Sequence, residues 1–259
     1  MKLKILLLAI ILALLFMKPS QAQRYSHSIA NRPGNTVEFV LARSPITIKG
    51  YNGDKLIVKN SDYHAPPKRA EGLHPVFGGG KDNSGIGLSV HQQSGGVKLV
   101  QAQAGAGDFT VKVPNNVRVK IEEINWGGGD IHISNMKGEI EIKAKTGDIK
   151  LQNVTGPVIA NSTNGNINVT FSQLSGATPS SISLVSGHMN VNLPADAKVN
   201  LNMSTVSGQI YTDFDIKMED KKGRIRQVGG RNTESTLNGG GVKLNLKTIT
   251  GNIYLRKKK

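Results

Sequence analysis

Cysteine is absent from all 259 residues. That absence removes disulfides, thiol catalysis and zinc–thiolate sites together. Aromatic residues make up only 5% of the chain, so a core of any size has to be mostly aliphatic. Acidic residues are scarce, 18 against 33 basic ones, and the formal charge is +15. Apart from residues 5–16, long apolar runs are missing too. That one run is too short to cross a bilayer as a helix, which takes ~20 apolar residues.

The run follows the basic stretch MKLK, and Ser20 and Ala22 stand at −3 and −1 of a cleavage after Ala22. This is the pattern of a secretory signal peptide, so residues 1–22 are expected to be removed and the rest exported to the periplasm, the cell surface or the medium. No cysteine follows the run, which excludes a lipoprotein anchor. Taking Lys2, Lys4 and Lys18 from the formal +15 leaves +12 on the exported part. Such a charge suits anionic surfaces, whether lipid headgroups or acidic polysaccharide. For an exported chain, nucleic acid is not the expected partner. Basic residues cluster in 217–231 and in the terminal LRKKK, and charge spread over a solvated surface is the plainer account of both.

What the chain has in abundance is glycine, 30 residues, much of it at fixed intervals. Gly129, Gly138, Gly147, Gly156 and Gly165 follow one another at nine-residue steps. Between them apolar and polar residues alternate, as in GDIHIS, GEIEIK, GDIKLQ and GNINVT. Period-two alternation means short strands with one buried face, and the β-branched residues at the apolar positions suit strands. A shift of 18 matches better than nine. It superposes Gly129, Gly147 and Gly165; Ile131, Ile149 and Ile167; Ile133, Leu151 and Val169; Asn135 and Asn153; and Ile140 and Val158. One such unit cannot bury its own apolar face, whereas stacked units bury a continuous column. An antiparallel sandwich would also give short alternating strands, but it does not require matched residues at a fixed offset.

We therefore expect an all-β chain, a single-domain parallel β-solenoid (β-helix) with rungs of roughly 18–21 residues. Residues 23–125 carry strand-like segments at less regular intervals, interrupted by a Pro- and Gly-containing loop over 61–85. Residues 126–259 hold the regular repeats, with 217–231 as a basic insertion. The expected inward column is Ile131, Ile133, Ile140, Ile142, Ile149, Leu151, Val158, Ile167 and Val169. The cassette recurs at Gly187, Gly208 and Gly251, and the gap of 43 before the last reads as two rungs plus the insertion. On that reading the strand Ile253–Leu255 ends the stack. Arg256 to Lys259 would then keep its exposed edge from pairing with a second copy, and binding of an anionic surface would be their secondary role.

The cassettes KTGDIKLQNVTGPVIANSTNGNINV, LVSGHMNVNLPADAKVNLNMSTVSGQI and TITGNIYL resemble an adhesin-type domain family of exported bacterial proteins. The likeness is good from Val117 onward and weak over 23–116. It implies a β-solenoid and a signal peptide, and it implies no established activity.

Candidate chemistry is thin. Asp130, Asp148 and Asn166 align at the 18 shift, and stacked carboxylates can hold a hard cation such as Ca²⁺. Asp and Asn after Gly more often bond to backbone in turns. His132 lies two residues after Asp130 on the same outward face, without a defined nucleophile. His27, His64, His74, His91 and His188 lack metal-ligand spacing. Glu139 and Glu141 share an outward face, near Lys143 and Lys150, which reads as paired surface charge. GGGKDNSG, residues 78–85, lacks the glycine spacing of a phosphate loop. The sequons at Asn153 and Asn168 lie within tight rungs and are discounted.

We therefore expect no catalytic, cofactor-binding or metal-binding residues. The expectation is a non-enzymatic envelope or cell-surface protein, an adhesin-like binding or scaffold module whose ligand the sequence does not assign, with an anionic glycan or an envelope surface as the candidate partner. The alternatives are a β-helix enzyme or binder acting on acidic polysaccharide, and a protein of envelope stress.

Overall fold

The computed structural model describes residues 23–70, 72–73, 79–102, 107–174, 178–216 and 231–258. The expected leader 1–22 and nearly all of the basic insertion 217–231 lie outside the described residues, as do His74 and Lys259.

Twenty strands follow in order. The first seven are β1 (Gln23–Ser28), β2 (Thr36–Leu41), β3 (Ile46–Tyr51), β4 (Lys55–Asn60), β5 (Leu88–Gln93), β6 (Gly96–Gln101) and β7 (Phe109–Pro114). Then come β8 (Arg118–Glu123), β9 (Ile131–Ser134), β10 (Ile140–Ala144), β11 (Ile149–Val154), β12 (Val158–Asn164) and β13 (Ile167–Phe171). The last are β14 (Ser180–Ser186), β15 (Met189–Leu193), β16 (Val199–Ser207), β17 (Ile210–Thr212), β18 (Arg231–Leu237), β19 (Val242–Thr250) and β20 (Ile253–Lys257). Among the described residues the helical content is one 3₁₀ turn, Lys68–Ala70.

The strands form two ten-stranded sheets. Sheet A runs β1-β4-β7-β3-β9-β11-β13-β15-β20-β17, and sheet B runs β18-β16-β19-β14-β12-β10-β8-β2-β6-β5. Most neighbours are parallel; β1–β4, β4–β7, β5–β6 and β16–β18 are antiparallel. Cassettes nine residues apart fall on opposite sheets, and cassettes 18 apart pair side by side. Ile131, Ile149 and Ile167 stand in register, as do Ile140 and Val158. All nine residues of the expected inward column are buried. Together with Phe39, Phe109 and Phe171 they form one continuous apolar core between the sheets.

The order of rungs departs from the order of the chain at both ends. β2 and β3 come early in the chain, yet β2 lies between β6 and β8, and β3 between β7 and β9. The last pair is likewise enclosed: β19 lies between β14 and β16, and β20 between β15 and β17. This corrects the reading of the C-terminus. Ile253 pairs with Met189 on one side and Ile210 on the other, so β20 is an interior strand and Arg256–Lys258 guard no edge. The outer strands at that end are β17 and β18. The 43-residue gap between Gly208 and Gly251 separates direct neighbours, since β17 and β20 pair at that offset.

One buried carboxylate sits at the turn from β8 to β9. Glu123 is 4% exposed and its Oε2 accepts the N–H groups of Lys145 (2.7 Å) and Thr146 (3.3 Å). Burial lifts its pKa above the ordinary 4.5, more than those N–H groups and the Lys145 charge pull it down. An acid whose pKa is raised by folding takes up protons on folding. Stability from this group is therefore greatest below pH 4.5 and declines as pH rises through the folded-state pKa. Both N–H groups address one oxygen, which an amide oxygen can replace. We expect Glu123→Gln to be at least as stable as the parent at pH 7 and to flatten that part of the profile. Urea midpoints at pH 5 and pH 7 check this; a variant that keeps the parent's slope assigns the pH dependence to another group.

Candidate binding face

The corner after Gly129, Gly147, Gly165, Gly187 and Gly251, where sheet B passes to sheet A, carries a ladder of side-chain acceptors. Asp130 Oδ1 accepts the N–H of Asp148 (2.9 Å), and Asp148 Oδ1 accepts that of Asn166 (2.8 Å). Asn166 Oδ1 accepts the N–H of His188 (3.1 Å), and His188 Nδ1 that of Asn252 (3.4 Å). Asn252 Oδ1 accepts the N–H of Gln209 (2.9 Å). Each side chain thus satisfies a backbone donor in the next rung that would otherwise lack a partner. The stack of Asp130, Asp148 and Asn166 is real, and its Oδ1 atoms are aimed at N–H groups. Among the described residues no three or more His, Cys, Asp or Glu side chains gather as a metal cluster. The members overlooked in the sequence, His188, Asn252 and Gln209, had a visible signal: each follows the glycine of its cassette.

Asn135 and Asn153 form a second column. Both have positive φ, 60° and 55°, and Asn153 Nδ2 donates to Asn135 Oδ1 at 2.6 Å. Asparagine tolerates this left-handed conformation better than most residues.

The outer face of sheet B is a run of ion pairs. Glu38 lies 3.4 Å from both Lys98 and Lys120. Arg118 reaches Glu139 (2.9 Å) and Glu141 (2.7 Å), and Lys143 lies 3.8 Å from Glu141. Glu139 and Glu141 are therefore paired surface charges. Lys150, expected beside them, stands on sheet A between His132 and Asn168.

Within the 78–85 stretch, Asp82 organises the loop. Its Oδ1 accepts Ser84 N, Ser84 Oγ and Gly85 N, each at 2.9 Å, and its Oδ2 accepts Tyr63 Oη (2.8 Å) and Gly87 N (2.9 Å). Burial works to raise the Asp82 pKa, but these hydrogen bonds together outweigh it and hold the carboxyl below its usual value. Burial and the Asp82 contact push Tyr63 up to about 12.

The outer face of sheet A offers a different surface. Thr47, His132, Lys150, Asn168, Asn190, Tyr254 and Tyr211 stand in register across seven strands. Beside them run Ser134, Gln152, Thr170, Asn192 and Arg256. Asn190 Nδ2 donates to Asn168 Oδ1 (2.9 Å), and Asn192 Nδ2 to Thr170 Oγ1 (3.2 Å). The ladder ends in two tyrosines stacked at 5.2 Å and 10°, with Tyr211 half exposed. The Arg256 guanidinium lies 5.0 Å from the Tyr254 ring and donates to Asn190 Oδ1 at 3.0 Å. His188 meets Tyr254 edge-on at 6.1 Å. A hollow of about 210 Å³ lies between Tyr211, Asp213, Tyr254 and Arg256. Flat aromatic rings, amides at strand spacing and a planar cation make a surface for apolar ring faces, hydroxyls and carboxylates.

Two mostly parallel sheets, built from short glycine-led cassettes that enclose an aliphatic column, define a solenoid-like all-β protein. The chain belongs to the Toastrack DUF4097 family, which it matches over residues 81–256. Among curated proteins none matches it in sequence. Of solved structures, one from Clostridium sporogenes ATCC 15579, provisionally named a cell adhesion protein, is similar at 11% identity with a TM-score of 0.51. That comparison covers 91% of this chain and 99% of the other. A provisionally named adhesin from Bacteroides fragilis NCTC 9343 has 6% identity and a TM-score of 0.26, covering 91% and 96%. At such identities the first likeness speaks for the fold alone, and the second carries no argument.

Proposed function

We propose that this protein is a non-catalytic module of the cell envelope, exported through its leader 1–22, that binds an extended partner along the outer face of sheet A. The in-register column from His132 to Tyr211 carries this reading. It repeats at about 4.8 Å per strand, so a polymer laid across the strands meets donors and acceptors at regular intervals. The ligand class that fits is a glycan with acidic groups. Sugar rings suit the stacked Tyr211 and Tyr254, and carboxylates suit Arg256 and Lys150. The name of the similar Clostridium structure, a cell adhesion protein, agrees with an adhesive role.

The test is titration with acidic and neutral polysaccharides, read by calorimetry and by product analysis. Saturable binding of acidic polymers without cleavage is expected, and Tyr254→Ala should weaken it by roughly tenfold, because it removes the ring on which Tyr211 stacks and against which Arg256 is held. Turnover of the polymer, or binding indifferent to Tyr254, overturns the reading.

A further inference from the structure

The large apolar side chains exposed among the described residues are Leu73, Ile124, Trp126, Val185, Val206, Tyr211 and Ile249. Five of these seven lie along one edge, where sheet B turns toward sheet A. Ser162 pairs with Leu184 and Asn164 with Ser186, which sets Thr163 beside Val185. Leu184 pairs with Thr248 and Ser186 with Thr250, which sets Val185 beside Ile249. Thr205 and Ser207 pair with the same two threonines, which sets Val206 on the far side of Ile249. At the other end Ile124 and Trp126 flank Lys145, whose ammonium donates to the Ile124 carbonyl and stands 5.9 Å from the Trp126 ring. From the β8 rung to the β16 rung this edge spans five strand steps, roughly 24 Å at ~4.8 Å each.

Lysines accompany the apolar line. Lys143 and Lys247 line the same groove of about 340 Å³ as Thr163, Val185 and Ile249. We infer that this edge docks on the surface of a phospholipid bilayer carrying anionic headgroups. The branched side chains and the Trp126 ring enter the headgroup–acyl boundary, where indole is favoured. Lys143, Lys145 and Lys247 meet lipid phosphates, with the +12 charge of the chain from Gln23 onward drawing it to the surface.

A second copy of the chain fits this edge less well. With about half of each side chain exposed, the five residues offer on the order of 500 Å², against ~800 Å² per partner for a stable interface. A two-fold contact along the line would also bring the same lysines together. The inference goes beyond the glycan reading and uses a different surface, so either can fail alone.

Both sheets are built wholly from residues 23 onward, so the chain from Gln23 is the protein to test. Trp126 is the only tryptophan and sits on the proposed contact, so its fluorescence reports docking directly. With vesicles of phosphatidylcholine and phosphatidylglycerol, the protein should float with the lipid, its emission should move to the blue, and lipids brominated high in the acyl chain should quench it. The exposed-site double variant Val206→Glu, Ile249→Glu should keep its circular dichroism and lose roughly tenfold or more in vesicle affinity. Tyr254→Ala, on the other sheet, should bind vesicles as the parent does. Failure to float overturns the inference. So does flotation without a Trp126 shift, which places the contact elsewhere, or flotation unchanged in the double variant. Self-association that the double variant abolishes, without vesicle binding, assigns the edge to a second copy instead.

Discussion

Replacing Ile149 by Asp is expected to leave the chain unfolded. Ile149 is fully buried in β11, in register between Ile131 and Ile167 in the neighbouring rungs. The carboxylate would have no water there, and only aliphatic neighbours in its column. An unpaired buried charge costs several kcal/mol or is neutralised at similar expense. The lost burial of the isoleucine side chain adds about 2–3 kcal/mol. Together these approach the whole stability of an ordinary domain, about 5–15 kcal/mol. Ile149→Val, which removes one methylene, should cost only ~0.5–1.5 kcal/mol. Lys150→Asp, one residue along on the exposed face, should fold. Circular dichroism and denaturant titration of the three variants check the series, and a folded Ile149→Asp would mean the column yields to water.

The inward column was legible because alternation and the 18-residue match act on the same residues. Ile131, Ile149 and Ile167 must be apolar to face the core and similar in size to stack, so burial and register leave one signal. The spatial order of the rungs left none. The cassettes at Gly187, Gly208 and Gly251 are chemically alike, so any one of them can pair with any other. Their likeness therefore says nothing about which are neighbours. That is why the last cassette was read as the end of the stack, whereas β19 and β20 fill the space between the two rungs before them. Placing Lys150 beside Glu141 failed for a related reason. Nine residues carry the chain from sheet B to sheet A, and only 18 bring it back to a neighbouring strand. The tyrosine stack was hidden likewise: Tyr211 and Tyr254 are 43 residues apart in the chain and adjacent in space.

The close stacking of the corner glycines sets the second large effect, that of Gly187→Ala. Gly187 has φ 130°, which side chains rarely adopt, and a Cβ there would fall on the carbonyl oxygen of Gly165. The same relation links Gly251 to the Gly187 carbonyl and Gly208 to the Gly251 carbonyl. The glycines thus stack backbone on backbone, and a methyl group at one of them has to push two rungs apart. Parting the Gly165 and Gly187 rungs strains the corner hydrogen bond from Gly165 N to Ser186 O (3.2 Å) and the one from Ile167 N to His188 O (3.0 Å). The conformational cost of such a φ is about 1–3 kcal/mol, and the steric cost adds to it. A control separates the two terms. Gly239 also has positive φ, 84°, but nothing lies within 4 Å of a Cβ built there. Gly239→Ala should therefore cost only the conformational part, about 1–2 kcal/mol. Gly187→Ala should cost clearly more, with a fall in Tm on the order of 10 °C if the total reaches ~3–4 kcal/mol. Thermal melts of both variants decide the matter. Equal losses would show that the backbone stack tolerates a methyl group, and that these glycines serve the turn conformation rather than the close approach of the rungs.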